Sequence, residues 1–347
     1  MGVEVLMKMK PKAELTRREI LGSLAIGLTM TAGGTVQALS QASRSEEFSR
    51  KRWTVGFSNA SLTNTWRVAL REAIVQELAG YGNIKLFTTD ANDSPAKQVA
   101  DLEDLLARGV NGLIIGATTT DVASSILEQC AKEGIPTVIV DRRVSSNRYT
   151  TFVSSDNYGM ATRGLGKLIE LIGGQGRIAI VQGIPGSGPA VERNSAYDAS
   201  LRVHPKVTAV RQAGDWSRAS GQKITENIVT ANPDLRGIHF DGGEMAVGGI
   251  QALRAAGIRD DMIRAGRPCL TWLDGYNGGL KMIKAGLGKY TVLHPPRFLG
   301  RESVRALIRA FKGESVPKSL LLPVEDISSE NVDKYVAMDK PDDYWAS

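Results

Sequence analysis

The chain is poor in the residues that carry most metal, redox and disulfide chemistry: two cysteines and three histidines in 347 residues. Cys130 and Cys269 stand far apart, on stretches that the pattern below assigns to different domains, so no structural disulfide is expected and both read as small buried apolar side chains. His204, His239 and His294 are scattered, with no cysteine or carboxylate at ligand spacing, so no metal site is expected. There is no Gly-x-Ser-x-Gly elbow to mark a hydrolase nucleophile. The turn Ser58-Asn59-Ala60-Ser61-Leu62-Thr63-Asn64 has no glycine, which a dinucleotide-binding turn needs for its backbone to approach a pyrophosphate. Gly183-Ile184-Pro185-Gly186-Ser187-Gly188-Pro189 is rich in glycine but lacks the Lys-Ser/Thr ending of a nucleotide-binding loop. Together these absences argue against an enzyme and against a bound cofactor.

Long apolar runs are also missing. The most apolar stretch, Ile20 to Val36, is broken by Gly22, Gly27, Gly33 and Gly34, whereas a membrane span takes about 20 predominantly apolar residues. Its basic start and small-residue end make residues 1–42 read as a signal peptide, and Thr16-Arg17-Arg18-Glu19-Ile20-Leu21 resembles the twin-arginine export signal. With no cysteine near a cleavage point at Ala38 or Ala42, the expected product is a soluble protein of the periplasm. The formal charge of +6 includes a contribution from this leader, and what remains is a solubility charge; no nucleic-acid partner is expected.

What is present is a rhythm. At about 150 residues per domain the length implies two domains. From Trp53 on, short β-branched runs alternate with amphipathic stretches of helical period: strands at Trp53–Ser58, Ile84–Thr88, Gly112–Ile115 and Pro136–Val140, with helices at Asn64–Ala79, Ala96–Ala107 and Asp121–Lys132 between them. After Tyr149–Asn157, which reads as a hinge, the pattern restarts with helix Tyr158–Leu171 and strand Arg177–Gln182 and runs on to helix Gly300–Phe311 and a terminal strand near Ser319–Pro323. The fold class is therefore α/β, with two doubly wound parallel-sheet domains.

Open α/β sheets bind ligands at the carboxyl ends of their strands. There the sequence offers Ser58, Asn64 and Trp66 after the first strand, Asp141 and Arg142 after the fourth, and Arg193, Trp216, Asp274 and His294 in the second half. Carboxylates accept, guanidiniums donate in a fork and indoles present flat apolar faces, which is what a polyhydroxylated ring requires. Each also has a structural reading: Trp66 as core, Asp141 and Asp274 as caps, Arg142 and Arg193 as solvated surface. Trp216, in Gly214-Asp215-Trp216-Ser217, is the hardest to explain as core.

Asn64-Thr65-Trp66, Asp90 to Ala96, Asp141-Arg142-Arg143, Ser155-Asp156-Asn157, Glu192-Arg193, Gly214-Asp215-Trp216, Glu244 to Gly248 and Asp274-Gly275 make the chain from about Trp53 to Val336 resemble the periplasmic sugar-binding proteins of ABC transporters, in the ribose-binding-protein-like group. The resemblance implies a periplasmic binding protein-like I fold with a three-strand hinge. Its implied lobes are residues 51–155 with 295–322, and 156–294 with 323–336. It further implies Trp66 and Trp216 as a sandwich for a sugar ring, with Asn64, Asp141, Arg142, Arg193 and Asp274 bonding hydroxyls. His294 stands where the ribose-type pattern has glutamine, Gly116 and Gly242 where it has asparagine, and Arg67 where it has a second aromatic. These departures point away from ribose and toward a hexose or polyol, with a sugar acid open through Arg67 and His294. The implied partner is a membrane permease of an ABC importer, or alternatively a chemoreceptor or sensor kinase, and the implied state is a monomer.

Overall fold

The protein is described by a computed structural model over residues 44–345. The expected signal peptide, residues 1–42, lies outside the described residues. The chain divides into a unit ending at Arg50, of which residues 44–50 are helical, and a unit that begins at Lys51.

From Lys51 onward, two six-stranded sheets form the centres of two α/β domains. The first holds β1 (Trp53–Asn59), β2 (Ile84–Asp90), β3 (Gly112–Ile115), β4 (Thr137–Val140), β5 (Thr151–Ser155) and, from much later in the chain, β11 (Ser319–Leu322), in the order β11-β5-β4-β3-β1-β2. The second holds β6 (Gly176–Gln182), β7 (Val207–Ala213), β8 (Leu235–Phe240), β9 (Cys269–Leu273), β10 (Tyr290–Val292) and β12 (Asp326–Ile327), in the order β12-β10-β9-β8-β6-β7. Every pairing is parallel except the antiparallel contact of β12 with β10.

Burial explains the sequence pattern. β3, β4, β5 and β9 are buried at every residue, because helices cover both faces, and so they read as unbroken apolar or β-branched runs. The edge strands β2, β7 and β11 are only partly covered, and β2 and β7 carry charged residues. Helix starts follow local chemistry: the side chains of Asn64, Ser94, Asp156 and Ser217 each accept from a backbone N–H in the first turn of the helix that follows. Leu102, Leu113, Leu127, Ile139 and Phe152 fill the first core, while the second domain buries Phe240, Met245, Leu253 and Trp272 on one face of its sheet and Leu165, Ile180 and Tyr197 on the other. Cys130 and Cys269 are free and buried, one in each domain.

One expectation is narrowed. The stretch Tyr149–Asn157, read as a hinge, is mostly β5, fully buried between β4 and β11, and only its end, after Ser155, leaves the first sheet for the second. The alternation of strand and helix hid it, because no helix intervenes between β4 and β5. The chain passes between the sheets three times, after β5, after β10 and after β11. The short helix Asp260–Arg264 and strand β12 also escaped the sequence pattern, being too short to show a period.

Candidate functional site

The two sheets place an aspartate at the same topological position. Asp141 follows β4 and Asp274 follows β9, each the third strand in its sheet order. The backbone N–H of Asp141 donates to the carbonyl of Val153 at 2.9 Å and that of Asp274 to the carbonyl of Val292 at 2.8 Å, each across to the neighbouring strand. Their own carbonyls accept from Ser154 Oγ at 3.1 Å and Thr291 Oγ1 at 2.6 Å. Both have left-handed backbones, with φ of 63° and 83°, as does Trp216 at 65°. Such conformations cost roughly 1–3 kcal/mol in non-glycine residues and collect where a site needs a particular side-chain direction.

Around Asp141 charge is assembled from the first domain and from the segment after β10. Arg67, 2% exposed on the helix Thr65–Ala79, donates to Asp141 Oδ2, and His294 Nε2 lies 3.1 Å from Oδ1. Burial alone would raise the Asp141 carboxyl, but Arg67, then His294 and Arg142, hold it well below the usual carboxylate range. Burial pulls His294 below its ordinary value against the attraction of Asp141, so the ring is neutral near pH 7. A carboxylate only accepts, so Nε2 carries the proton and Nδ1 is left as an acceptor. Trp66 stacks on His294, with ring centroids 4.9 Å apart and planes at 18°, and its Nε1 donates to the His294 carbonyl at 3.0 Å. Arg142 is lowered to about 9, by burial first and then by the neighbouring Arg67 charge; its Nη1 donates to the Thr118 carbonyl at 3.1 Å.

In the second domain, Arg193 donates from Nε to Asn157 Oδ1 at 3.0 Å and from Nη1 to the Asp241 carbonyl at 2.8 Å, which fixes its fork. Asp274 accepts from the backbone N–H groups of Gly243 at 3.0 Å and Tyr276 at 2.9 Å, capping the helix Gly243–Ala255 from an adjacent strand. Burial pushes Asp274 up to about 7, opposed by those two N–H groups and reinforced by the nearby Glu244. Trp216 lies against the backbone of Gly183, where a Cβ would come within 2.1 Å of its ring. The guanidinium carbon of Arg142 sits 5.4 Å from the Trp216 ring centre, joining residues of the two domains by a cation–π contact.

These groups line a cavity, partly open to solvent, with about 490 Å³ of non-atom space. Asn64, Trp66, Asp141, Arg142, Arg193, Trp216, Asp274 and His294 all line it. Three buried atoms of residues that line it have no hydrogen-bond partner within the protein: Arg67 Nη1 and Arg142 Nε, which are donors, and His294 Nδ1, the acceptor. Leaving such groups unsatisfied costs roughly 1–3 kcal/mol each, so they are matched to a ligand or water that both accepts and donates.

The sequence matches the profile of the family described as periplasmic binding protein domain over residues 55–315. The chain belongs to this family. Among curated proteins, the ribose import binding protein RbsB of Bacillus subtilis is 27% identical over 306 residues, covering 87% of this chain and 96% of that protein. Among solved structures, an ABC transporter solute-binding protein from Bacillus halodurans with bound myo-inositol superposes with a TM-score of 0.76 at 25% identity, covering 82% of this chain and 97% of the other. Another from Mycobacterium smegmatis with bound glycerol gives 0.76 at 27%, covering 85% and 100%. These relatives are binding proteins, and a periplasmic binding protein is not an enzyme; the two-domain α/β architecture is that of the family.

Within this family member's cavity the sequence reading and the geometry differ at particular residues. Ser58 does not line the cavity: it is buried within β1, and its Oγ is held by Gln98 Nε2 at 3.1 Å. Arg67, singled out only as a departure from the ribose-type pattern, is the main charge partner of Asp141. Asp241, Glu244 and Trp345 line the cavity and were not singled out. Asp241 directly follows β8, so the strand-end rule that found Asp141 and Asp274 would have found it too. Glu244 accepts from the N–H and hydroxyl of Thr65 across the domains. No sequence signal pointed to Trp345, which lies beyond the segment that carried the resemblance.

Proposed function

We propose that this protein is the exported solute-binding component of an ABC importer, capturing a monosaccharide or polyol between its two domains and presenting it to an inner-membrane permease. The carrying observation is the cavity itself: indoles from each domain, carboxylates and guanidiniums fixed by hydrogen bonds, and buried donors and an acceptor without protein partners on residues that line it. An apolar ligand would leave those atoms unsatisfied, and a simple anion would leave His294 Nδ1 without a donor. A ring of hydroxyls serves both, and its C–H faces suit Trp66 and Trp216. The names of the relatives, with ribose, myo-inositol and glycerol among their ligands, support the same class. The lobes in this reading are residues 51–155 with 295–322, and 156–294 with 323–336, and the twin-arginine-like leader delivers the folded protein to the periplasm.

Arg67, Arg142 and Arg193 on one cavity keep sugar acids within the reading. A thermal-shift screen over pentoses, hexoses, inositols, linear polyols and uronic acids tests it, because a ligand that binds only the folded form raises the midpoint with RT ln(1 + [L]/Kd). At least one compound is expected to raise the midpoint of the wild type, and Arg193→Ala is expected to abolish that rise. A panel in which no compound shifts the wild type would overturn the carbohydrate assignment.

A further inference from the structure

After the last strand the chain returns to the cavity. Asn277, at the start of the helix Asn277–Lys284 of the second domain, accepts from the Ala337 N–H at 3.0 Å and donates to the carbonyls of Ala337 and Pro341, both at 2.9 Å. The N–H of Gly278 donates to the Asp342 carbonyl at 3.0 Å, while the Asp342 carboxylate lies between Arg218 at 3.4 Å and Lys281 at 3.3 Å. Lys281 Nζ also donates to the Lys340 carbonyl at 2.7 Å. These contacts seat the tail on the second domain.

From that seat Trp345 reaches the first domain. It is 2% exposed, lines the cavity, and packs with Tyr276 and Val247 of the second domain and Ala69 of the first. Its Nε1 donates to Thr65 Oγ1 at 3.0 Å, and its carbonyl accepts from Arg297 Nε at 3.0 Å. Thr65 opens the helix Thr65–Ala79 and Arg297 lies on the helix Pro296–Phe311, two helices that pack on each other and are further tied by Arg297 to Glu72 at 2.6 Å. The Thr65 hydroxyl in turn donates to Glu244 Oε1 of the second domain. The result is a relay, Trp345 to Thr65 to Glu244, in which one hydroxyl of the first domain satisfies two groups that the second domain holds.

We infer that residues 337–345 form a latch belonging to the binding site: anchored on the second domain, the tail places Trp345 across to the first, where its indole closes one side of the ligand cavity and holds the domains together. This rests on the reading of the cavity as the ligand site, but the closing action is separable from the identity of the ligand. An indole buried at such a seam favours the closed arrangement, because opening exposes it and frees both its polar partners. The latch lowers the escape rate of whatever is enclosed, since its contacts must break before the crevice opens.

The test uses the full mature chain with spin labels at Glu103→Cys and Val203→Cys, exposed positions in the first and second domains, with the buried Cys130 and Cys269 left in place. Interdomain distances are measured by pulsed electron resonance without sugar and with ribose or myo-inositol. Trp345→Ala is expected to raise the open-to-closed ratio of the ligand-free protein at least tenfold and to speed release of a bound sugar by a similar factor. Asn277→Ala, which unseats the tail without touching the cavity, should shift both in the same direction. Trp345→Phe, which keeps an aromatic ring but loses the Nε1 donor, should fall between, and with Asn277→Ala it decides the matter if Trp345→Ala does not fold. Wild-type distance distributions in the folded variants, with and without sugar, would overturn the latch. If no sugar binds the wild type yet the variants still open, the carbohydrate reading fails and the latch stands.

Discussion

Asp141 and Asp274 are the same residue type at the same place in two similar sheets, with matching backbone hydrogen bonds and left-handed φ, yet their pKa values are displaced in opposite directions. Asp141 is held ionised because a guanidinium and an imidazole N–H reach its two oxygens. Asp274 is not hydrogen-bonded by any cation: burial pushes it up to about 7, the two backbone N–H groups and the Arg193 charge oppose that rise, and nearby Glu244 reinforces it. Fold symmetry thus sets where a carboxyl sits, and the side chains arriving from neighbouring segments set its charge. The cavity therefore combines a permanent acceptor on one wall with a carboxyl that can donate at mildly acid pH on the other.

The contrast is broken most severely by removing the cation. Arg67→Met would leave Asp141 buried without its main counter-charge, a loss of about 3 kcal/mol or more. A fall of roughly 10 °C in the melting midpoint is expected, and a midpoint within 2 °C of wild type would show that His294 and Arg142 suffice.

A pH series sharpens the contrast. An unfolded chain ionises Asp274 near pH 4 while the folded chain retains the proton to about pH 7, so this group makes the protein less stable as pH rises across that interval. Asp141 acts oppositely, contributing stability above its ordinary value that is lost as pH falls below it. Asp274→Asn should flatten the descent between pH 5 and pH 8, gaining on the order of 3 kcal/mol relative to wild type over that range and leaving the acid limb below pH 4 intact. Parallel pH profiles in urea unfolding would refute the assignment of opposite states.

The smallest effect is expected at His294. Glutamine can still donate to Asp141, so His294→Gln loses chiefly the stacking on Trp66, worth about 1 kcal/mol. Calorimetry with the sugar identified in the screen should show roughly a fivefold weaker affinity, and complete loss of binding would mean that Nδ1 is an indispensable acceptor.

Much of the frame was legible because buried parallel strands write themselves as continuous β-branched runs, and Ser94-Pro95 and Gly134 mark helix ends by local geometry. β5 was not, because no helix separates its five residues from β4 and only its neighbours in space show it to be a strand. Among candidate site residues, strand ends were readable one at a time, but Ser58, at the end of β1, is taken by Gln98, a partner 40 residues away. Trp345 was invisible for the same reason: its partners Thr65 and Arg297 come from distant parts of the chain.

By itself the sequence determined the alternation of strands and helices, the pairing of two such layers, and the supply of Asp, Arg and Trp at strand ends, since these depend on propensity, period and capping within a few residues. Only the tertiary structure decided which of those side chains share a cavity, which aspartate is charged, and how the tail reaches across both domains. Such outcomes depend on burial and on charges brought together from opposite ends of the chain, and no local window contains them.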